Sequence, residues 1–171
     1  MNAGLFDLTG KNALVTGGAQ GLGRMIAEGL LRAGATVAIT SRKADICEAA
    51  ASEMAALGKC SALPADLSTP EAAVDLAQRY RETVGGTLHV LVNNAGKTWG
   101  GTVDTFPDKA WPGVMMVNVQ TPFTLVRELL PELTAAGTPD DPARVINIGS
   151  IAGATTAKLS AYSYSASKAA V

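Results

Sequence analysis

The stretch NALVTGGAQGLG, residues 12–23, decides the fold of this chain. Its first five residues form a short apolar run typical of a buried strand, and glycines follow at positions 17, 21 and 23. Over residues 22–33 the apolar side chains recur at helical spacing, and Gly34 ends that pattern. The stretch therefore predicts a strand, a tight turn and a helix in direct succession.

The same alternation continues along the rest of the chain. Short apolar runs predict further strands at residues 35–40, 60–64, 88–92 and 144–148. Amphipathic stretches predict helices at residues 44–57, 68–84, 107–136 with an offset inside it, and from 161 onward. Strands without a polar face, joined by helices, require a mostly parallel sheet covered on both sides. We expect a doubly wound α/β fold, with residues 1–171 as one domain and residues 137–142 as a surface loop.

Composition and charge exclude several classes of function. The 171 residues carry 14 Lys and Arg against 15 Asp and Glu, so no basic field attracts nucleic acid or anionic lipid. The N-terminal stretch has no basic region followed by an apolar run, and no apolar segment is long enough to span a membrane. We expect a cytoplasmic protein with a small-molecule partner. Cys47 and Cys60 show no metal or redox spacing, which favours reduced thiols.

The glycine-rich turn between the first strand and the first helix has the chemistry of a nucleotide site. Glycines at 17, 21 and 23 allow the backbone to approach a pyrophosphate, whose charge the helix N-terminus stabilises. The alternative is a turn without a ligand. After the second strand the chain has Ser41 and Arg42 where a ribose-binding acid is expected, and a guanidinium suits a 2′-phosphate. This favours NADP(H) over NAD(H), unless Arg42 merely lies on a solvated helix.

A possible proton donor stands near the end of the chain. Tyr164 and Lys168 are four residues apart, which places both on one helix face, and a fixed cation stabilises a phenolate. Such a pair can also be a solvated surface. Ser150 follows the predicted fifth strand, at the edge where open α/β sheets bind ligands. The one histidine, His89, is interpreted as a strand-edge residue, and neither a histidine triad nor a metal site is expected.

Taken in order, these motifs closely resemble the short-chain dehydrogenase/reductase family over essentially the whole chain. The matching segments are TGGAQGLG at 16–23, Asp66-Leu67, NNAG at 93–96, Asn118, INIGSIAG at 146–153 and YSASK at 164–168. Within the family, NNAGKTWG, PARVINIGSIAG and AYSYSASKAAV are most similar to bacterial 3-oxoacyl-(acyl-carrier-protein) reductases of fatty acid metabolism. The resemblance implies a Rossmann-type sheet of strand order 3-2-1-4-5.

The resemblance also implies roles for single residues. Tyr164 would give a proton to the substrate carbonyl, Ser150 would hydrogen-bond that oxygen, Lys168 would assist the tyrosine and bind the ribose, and Asn118 would anchor a water. Tyr162 would pack or line the pocket. The resemblance implies that the following residues bind the cofactor: Thr16, Gly17, Gln20, Gly21, Leu22, Gly23, Ser41, Arg42, Asp66, Leu67, Asn93, Ala95, Gly96, Tyr164 and Lys168. Simpler alternatives are a backbone bond for Asn118, a turn at 93–96 and a helix cap at Asp66.

The resemblance further implies that the chain is incomplete. Members of the family continue for two more strands, so the fifth strand would be an exposed edge, and the helix from Thr121 to Ala136 would be half of a dimer face. The expected function is NADP(H)-dependent reduction of a ketone by a homodimer or homotetramer. A 3-oxoacyl thioester is the first choice of substrate, and a small alcohol, a sugar or a steroid ketone are the others. A non-catalytic nucleotide-binding protein, an inactive fragment, and an epimerase or dehydratase are the alternatives.

Overall fold

The computed structural model describes Gly4 and residues 6–155 and 160–171. The sequence-based prediction that the N-terminal stretch lacks a targeting segment therefore falls partly outside the described residues. Within them, no helix has both the length and the apolar composition needed to cross a membrane.

Five parallel strands form the sheet in the order β3-β2-β1-β4-β5, which confirms the predicted order. The strands are β1 (Asn12–Thr16), β2 (Thr36–Thr40), β3 (Cys60–Ala62), β4 (Val90–Asn93) and β5 (Arg144–Asn147). In register, Leu14 of the central β1 stands between Ala38 of β2 and Leu91 of β4. All three side chains are fully buried, which explains why the centres of these strands are apolar.

Seven α-helices connect or follow the strands in the described residues. They are α1 (Gly21–Arg32), α2 (Ala44–Met54), α3 (Pro70–Thr83), α4 (Ala110–Met115), α5 (Thr121–Glu128), α6 (Leu130–Ala136) and α7 (Tyr162–Ala170). Thr69 caps α3, because its hydroxyl accepts a hydrogen bond from the Ala72 amide at 3.3 Å.

Several element ends differ from the predicted ones by one to three residues. The predicted helix at 44–57 ends at Met54, because Leu57 already bonds to the Met54 carbonyl in a tighter turn. The predicted strand at 88–92 begins at Val90, because the Leu88 amide donates to the carbonyl of Glu132 in α6 instead of to a neighbouring strand. Backbone partners of this kind decide an end that side-chain patterns leave open.

The predicted offset in the long helical region is a π-helical turn, Met116–Gln120, between α4 and α5. Such turns insert one extra residue into a helix and often mark functional positions. Asn118 lies inside this turn and is 2% exposed.

The core has one layer on each side of the sheet. On one side α1 and α2 pack on β1 and β2 around Val15, Ile39 and Met54. On the other side α3, α5 and α6 cover Leu14 and Leu91. The four residues of β5 are exposed, as the prediction of an edge strand required.

Candidate functional site

The turn after β1 requires glycine at three positions for different reasons. Gly17 and Gly21 have φ of 66° and 54°, a region that favours glycine. At Gly23 a Cβ atom would lie 2.2 Å from the Gly17 carbonyl oxygen. Helix α1 therefore begins directly against the turn, with its free amides at the carboxyl edge of the sheet.

Asn94 and Thr16 tie this turn to the segment that follows β4. The Thr16 hydroxyl accepts hydrogen bonds from the amides of Asn94 at 3.0 Å and Ala95 at 2.9 Å. The Asn94 amide group donates to the carbonyls of Thr16 at 2.9 Å and Gly17 at 3.3 Å. Thr16, expected at the cofactor, thus has its hydroxyl occupied by protein. Asn94 was missed, although its place in the NNAG segment signalled it.

A cleft of about 690 Å³ opens where β1, β2, β3 and β4 end. Eight of the residues predicted to bind a cofactor line it: Gly17, Gln20, Ser41, Arg42, Asp66, Leu67, Ala95 and Gly96. The other lining residues were not among the predicted site residues; they are Thr40, Ala65, Ser68, Asn94, Lys97, Thr98, Trp99 and Val117. The structure therefore brings the glycine turn and the end of β2 together in one cavity.

Arg42 is exposed and lines the cleft. In the part of the chain that the structure describes, no carboxylate lies within ion-pair distance of its guanidinium. A guanidinium that has no carboxylate partner and lies beside a cavity of this size can bind a phosphate group.

Thr40 adds a buried polar group to the same cleft. The residue is 1% exposed, and its hydroxyl has no hydrogen-bond partner among the described residues. Because unpaired buried hydroxyls are costly, a ligand or water in the cleft is the natural partner.

Asp66 and Leu67, which follow β3, form another wall of the cleft. Asp66 is exposed, so its carboxylate is available to a ligand, whereas Leu67 is 4% exposed. The Leu67 carbonyl accepts a hydrogen bond from the Thr121 hydroxyl at 2.9 Å, which fixes the wall to the start of α5.

Asn93 does not line the cleft. Its side-chain amide donates to Asn147 Oδ1 at 2.9 Å and so joins the ends of β4 and β5. Its own Oδ1 is buried and unbonded among the described residues, leaving one acceptor available. Gly21, Leu22 and Gly23 also lie outside the lining, and they shape α1 and its turn instead.

Helix α7 brings Tyr164 and Lys168 together, as their spacing predicted. The Lys168 ammonium lies 5.9 Å from the centroid of the Tyr164 ring. It also donates to the Ile148 carbonyl at 2.5 Å, just after β5. The lysine thus connects the tyrosine to the end of the sheet, although neither side chain lines the main cleft.

Ser150 caps a short 3-10 helix, Ile151–Gly153, and its hydroxyl accepts from the Ala152 amide at 3.2 Å. This helix packs directly on α7, because a Cβ at Gly153 would lie 2.6 Å or less from backbone atoms of Lys168. Gly153 was missed as a site residue. Its only sequence signal was its place in INIGSIAG.

Asn118 has both polar atoms of its side chain bonded to protein. Its Oδ1 accepts from the Lys97 amide at 2.7 Å, and its Nδ2 donates to the Lys97 carbonyl at 2.9 Å and to Ser167 Oγ at 2.8 Å. The side chain thus bonds to a backbone carbonyl, which lies after β4 and not in its own helix, and in addition to the Ser167 side chain.

Three other residues behave as structural groups. Tyr162 packs on Phe106 edge to face, with ring centroids 5.2 Å apart, which agrees with the prediction that it packs or lines the pocket. His89 Nδ1 accepts from the Asn12 amide at 3.0 Å beside β4. Burial, helped by the Lys11 cation, lowers the pKa of His89. Burial likewise raises the pKa of Cys60 to about 11, which disfavours the thiolate.

The sequence of this chain is similar to those of known reductases and related proteins. The chain is 47% identical over 166 residues to a rhamnolipids biosynthesis 3-oxoacyl-(acyl-carrier-protein) reductase of Pseudomonas aeruginosa, covering 97% of this chain and 64% of the relative. It is 34% identical to nodulation protein G of a Rhizobium species, covering 88% of this chain and 59% of the relative.

Solved structures of reductases have the same fold as this chain. The Pseudomonas aeruginosa RhlG/NADP active-site complex superposes with a TM-score of 0.93 at 47% identity, covering 96% of this chain and 64% of that one. An NADP-bound 3-oxoacyl (acyl-carrier-protein) reductase of Agrobacterium tumefaciens C58 gives a TM-score of 0.87 at 31% identity, covering 99% of this chain and 64% of that one. The chain thus spans less than two thirds of these relatives. The short chain dehydrogenase family matches residues 11–171, and the chain belongs to that family.

Proposed function

We propose that the protein uses NADP(H) to reduce a ketone to an alcohol, and that the ketone is a 3-oxoacyl thioester. One observation carries the proposal: the glycine turn after β1 and the Arg42 cation after β2 line the same cleft of about 690 Å³. The relative with 47% identity is a 3-oxoacyl-(acyl-carrier-protein) reductase, and its structural counterpart is an NADP complex. These names supply the substrate class.

The residues present fit the cofactor. Gly17 lines the cleft, and a Cβ there would lie 3.0 Å from Asn94 Nδ2, so this part of the turn has no room for a side chain. The unbonded Thr40 hydroxyl lines the same cleft. In this proposal the turn from Gly17 to Gly23, with Gln20 and Leu22, holds the pyrophosphate at the start of α1. Ser41 and Arg42 hold the 2′-phosphate, because a guanidinium binds phosphate by charge-assisted hydrogen bonds.

The remaining proposed cofactor contacts surround the adenine and the nicotinamide. Asp66 and Leu67 would bracket the adenine. Asn93, Ala95 and Gly96 follow β4; Ala95 and Gly96 line the cleft, and Asn93 offers its unbonded Oδ1. Lys168 of α7 would hold the ribose.

Tyr164 and its neighbours would supply the proton chemistry. When bound, the nicotinamide provides the hydride. Tyr164 donates a proton to the carbonyl oxygen, Ser150 hydrogen-bonds that oxygen, and Lys168, 5.9 Å from the tyrosine ring, stabilises the resulting phenolate. Asn118, whose side chain is bonded to Lys97 and Ser167, would contribute through its backbone and its hold on neighbouring segments.

Two tyrosines on α7 give a matched test. We expect Tyr164→Phe in the full-length protein to lower kcat for an acetoacetyl thioester by about 10²–10⁴-fold, the usual contribution of a general acid. Tyr162→Phe keeps the packing on Phe106 and should leave kcat within about twofold of the unmodified protein. NADPH oxidation followed at 340 nm measures both.

Equal rates for the two variants would overturn the assignment of Tyr164. NADPH binding without turnover of any ketone would favour the non-catalytic alternative over the reductase.

A further inference from the structure

Helix α7 lacks a local device that fixes its start. It begins at Tyr162, and Ala161 before it provides no side-chain cap. Tyr164, the proposed proton donor, is the third residue of the helix and therefore lies in its first turn. Because first turns fray unless their groups are bonded elsewhere, the placement of Tyr164 depends on contacts with other elements.

Ser167, on the same helix, links Tyr164 to one such element. It is fully buried, and its hydroxyl donates to the Tyr164 carbonyl at 2.7 Å. The same oxygen accepts from Asn118 Nδ2 at 2.8 Å. Two consecutive hydrogen bonds therefore connect the π-helical turn to the backbone of the tyrosine itself.

The other end of this connection is bonded to the segment that follows β4. Asn118 holds both the amide and the carbonyl of Lys97, which directly follows two cleft-lining residues, Ala95 and Gly96. Through Asn118 and Ser167, the segment that lines the cleft and the helix that carries Tyr164 are held in one arrangement.

Ser163 provides the contrast on the same helix. It too is fully buried, but its hydroxyl has no hydrogen-bond partner among the described residues. The two serines are therefore equally buried on the same helix. They differ because the Ser167 hydroxyl bonds to both Asn118 and Tyr164, whereas the Ser163 hydroxyl bonds to neither.

We propose that Ser167 is a positioning residue, which sets Tyr164 relative to the cofactor cleft through Asn118 without touching the substrate. The proposal rests on the reductase function given above. A shift of about 1 Å at a reacting group can lower the rate about 100-fold. We therefore expect loss of the two Ser167 hydrogen bonds to lower kcat.

The test compares Ser167→Ala with Ser163→Ala in the full-length protein. Both changes remove one buried hydroxyl. We expect Ser167→Ala to lower kcat by at least about tenfold and to displace the pH profile of kcat, with the NADPH dissociation constant within about twofold. Ser163→Ala should change none of these. Ser167→Thr retains the hydroxyl, whose helical rotamers allow a bond to the carbonyl three residues before it, and should restore part of kcat.

A second readout does not need turnover. In protein labelled with ¹³C-tyrosine, the ring signals of Tyr164 should shift in Ser167→Ala, while those of Tyr162 stay in place. A general loss of stability would move both. If the unmodified protein reduces no ketone, the proposed function fails and the ring signals still decide the role of Ser167. Matching kcat, pH profiles and Tyr164 signals in the two alanine variants would overturn the proposal.

Discussion

Replacing Gly23 by alanine tests whether the glycine turn is built as described. The added Cβ would stand 2.2 Å from the Gly17 carbonyl oxygen and 2.3 Å from Asn94 Nδ2, distances that real Cβ atoms do not adopt. Neither neighbour is the end of a flexible chain, because the first is backbone and the second is bonded to Thr16 and Gly17. The turn and the segment after β4 must therefore move apart.

The cost follows from two contributions. Overpacking a tight interior site costs about 1–3 kcal/mol, and displacing Asn94 weakens two hydrogen bonds worth about 1 kcal/mol each. We expect the free energy of unfolding to fall by about 2–4 kcal/mol, which lowers Tm by roughly 5–15 °C for a protein of this size. Affinity for NADPH should fall at least about tenfold, because the same displacement distorts the proposed pyrophosphate site.

Gly29→Ala is the matched control on the same helix. Apart from the backbone of its own helix, no atom lies within 4 Å of the point where a Cβ at Gly29 would stand. Because Gly29 lies in regular helix, alanine there should raise stability by up to about 1 kcal/mol. Thermal unfolding followed by circular dichroism, with NADPH titration, measures both variants. A Gly23→Ala protein with unchanged Tm and NADPH affinity would refute this description of the turn.

Two further predictions concern other parts of the structure. Gly153→Ala should lower kcat more than NADPH affinity, because its Cβ would lie 2.5–2.6 Å from backbone atoms of Lys168 and push Ser150 away from α7. Steady-state kinetics with a parallel NADPH titration would measure both quantities, and an unchanged kcat would contradict the prediction. For His89, burial lowers the pKa in the folded state, so the unfolded chain binds more protons and stability falls as pH drops below about 6.5. Urea unfolding at several pH values should show this loss, and His89→Asn, which keeps an acceptor for Asn12 but cannot be protonated, should reduce it.

Local pattern was sufficient to predict the architecture. Strands β1, β2 and β4 are buried on both faces, so their central residues are apolar and stand out from the amphipathic helices. The strand order came from the family resemblance, and the structure confirms it. The ends of elements were less predictable, since they depend on partners such as the Glu132 carbonyl that receives the Leu88 amide.

The candidate site was predictable where a residue acts through its own type and place. Gly17, Arg42 and Ala95 do line one cleft. Thr16 illustrates the limit, because its hydroxyl bonds to a segment nearly eighty residues away, and no local pattern reveals that partner. Ser167 and Gly153 were missed for the same reason, since their importance lies in contacts with Asn118 and with the Lys168 backbone.

The measurement that tests the central claim most directly is the affinity of the protein for NADPH and for NADH, followed by nicotinamide fluorescence, with and without Arg42→Gln. A charge-assisted contact to the 2′-phosphate is worth about 1.5–3 kcal/mol, so NADPH should bind at least about tenfold more tightly than NADH. Arg42→Gln should remove most of that preference and leave NADH affinity unchanged. Equal affinities in the unmodified protein, or a preference that survives Arg42→Gln, would contradict the account.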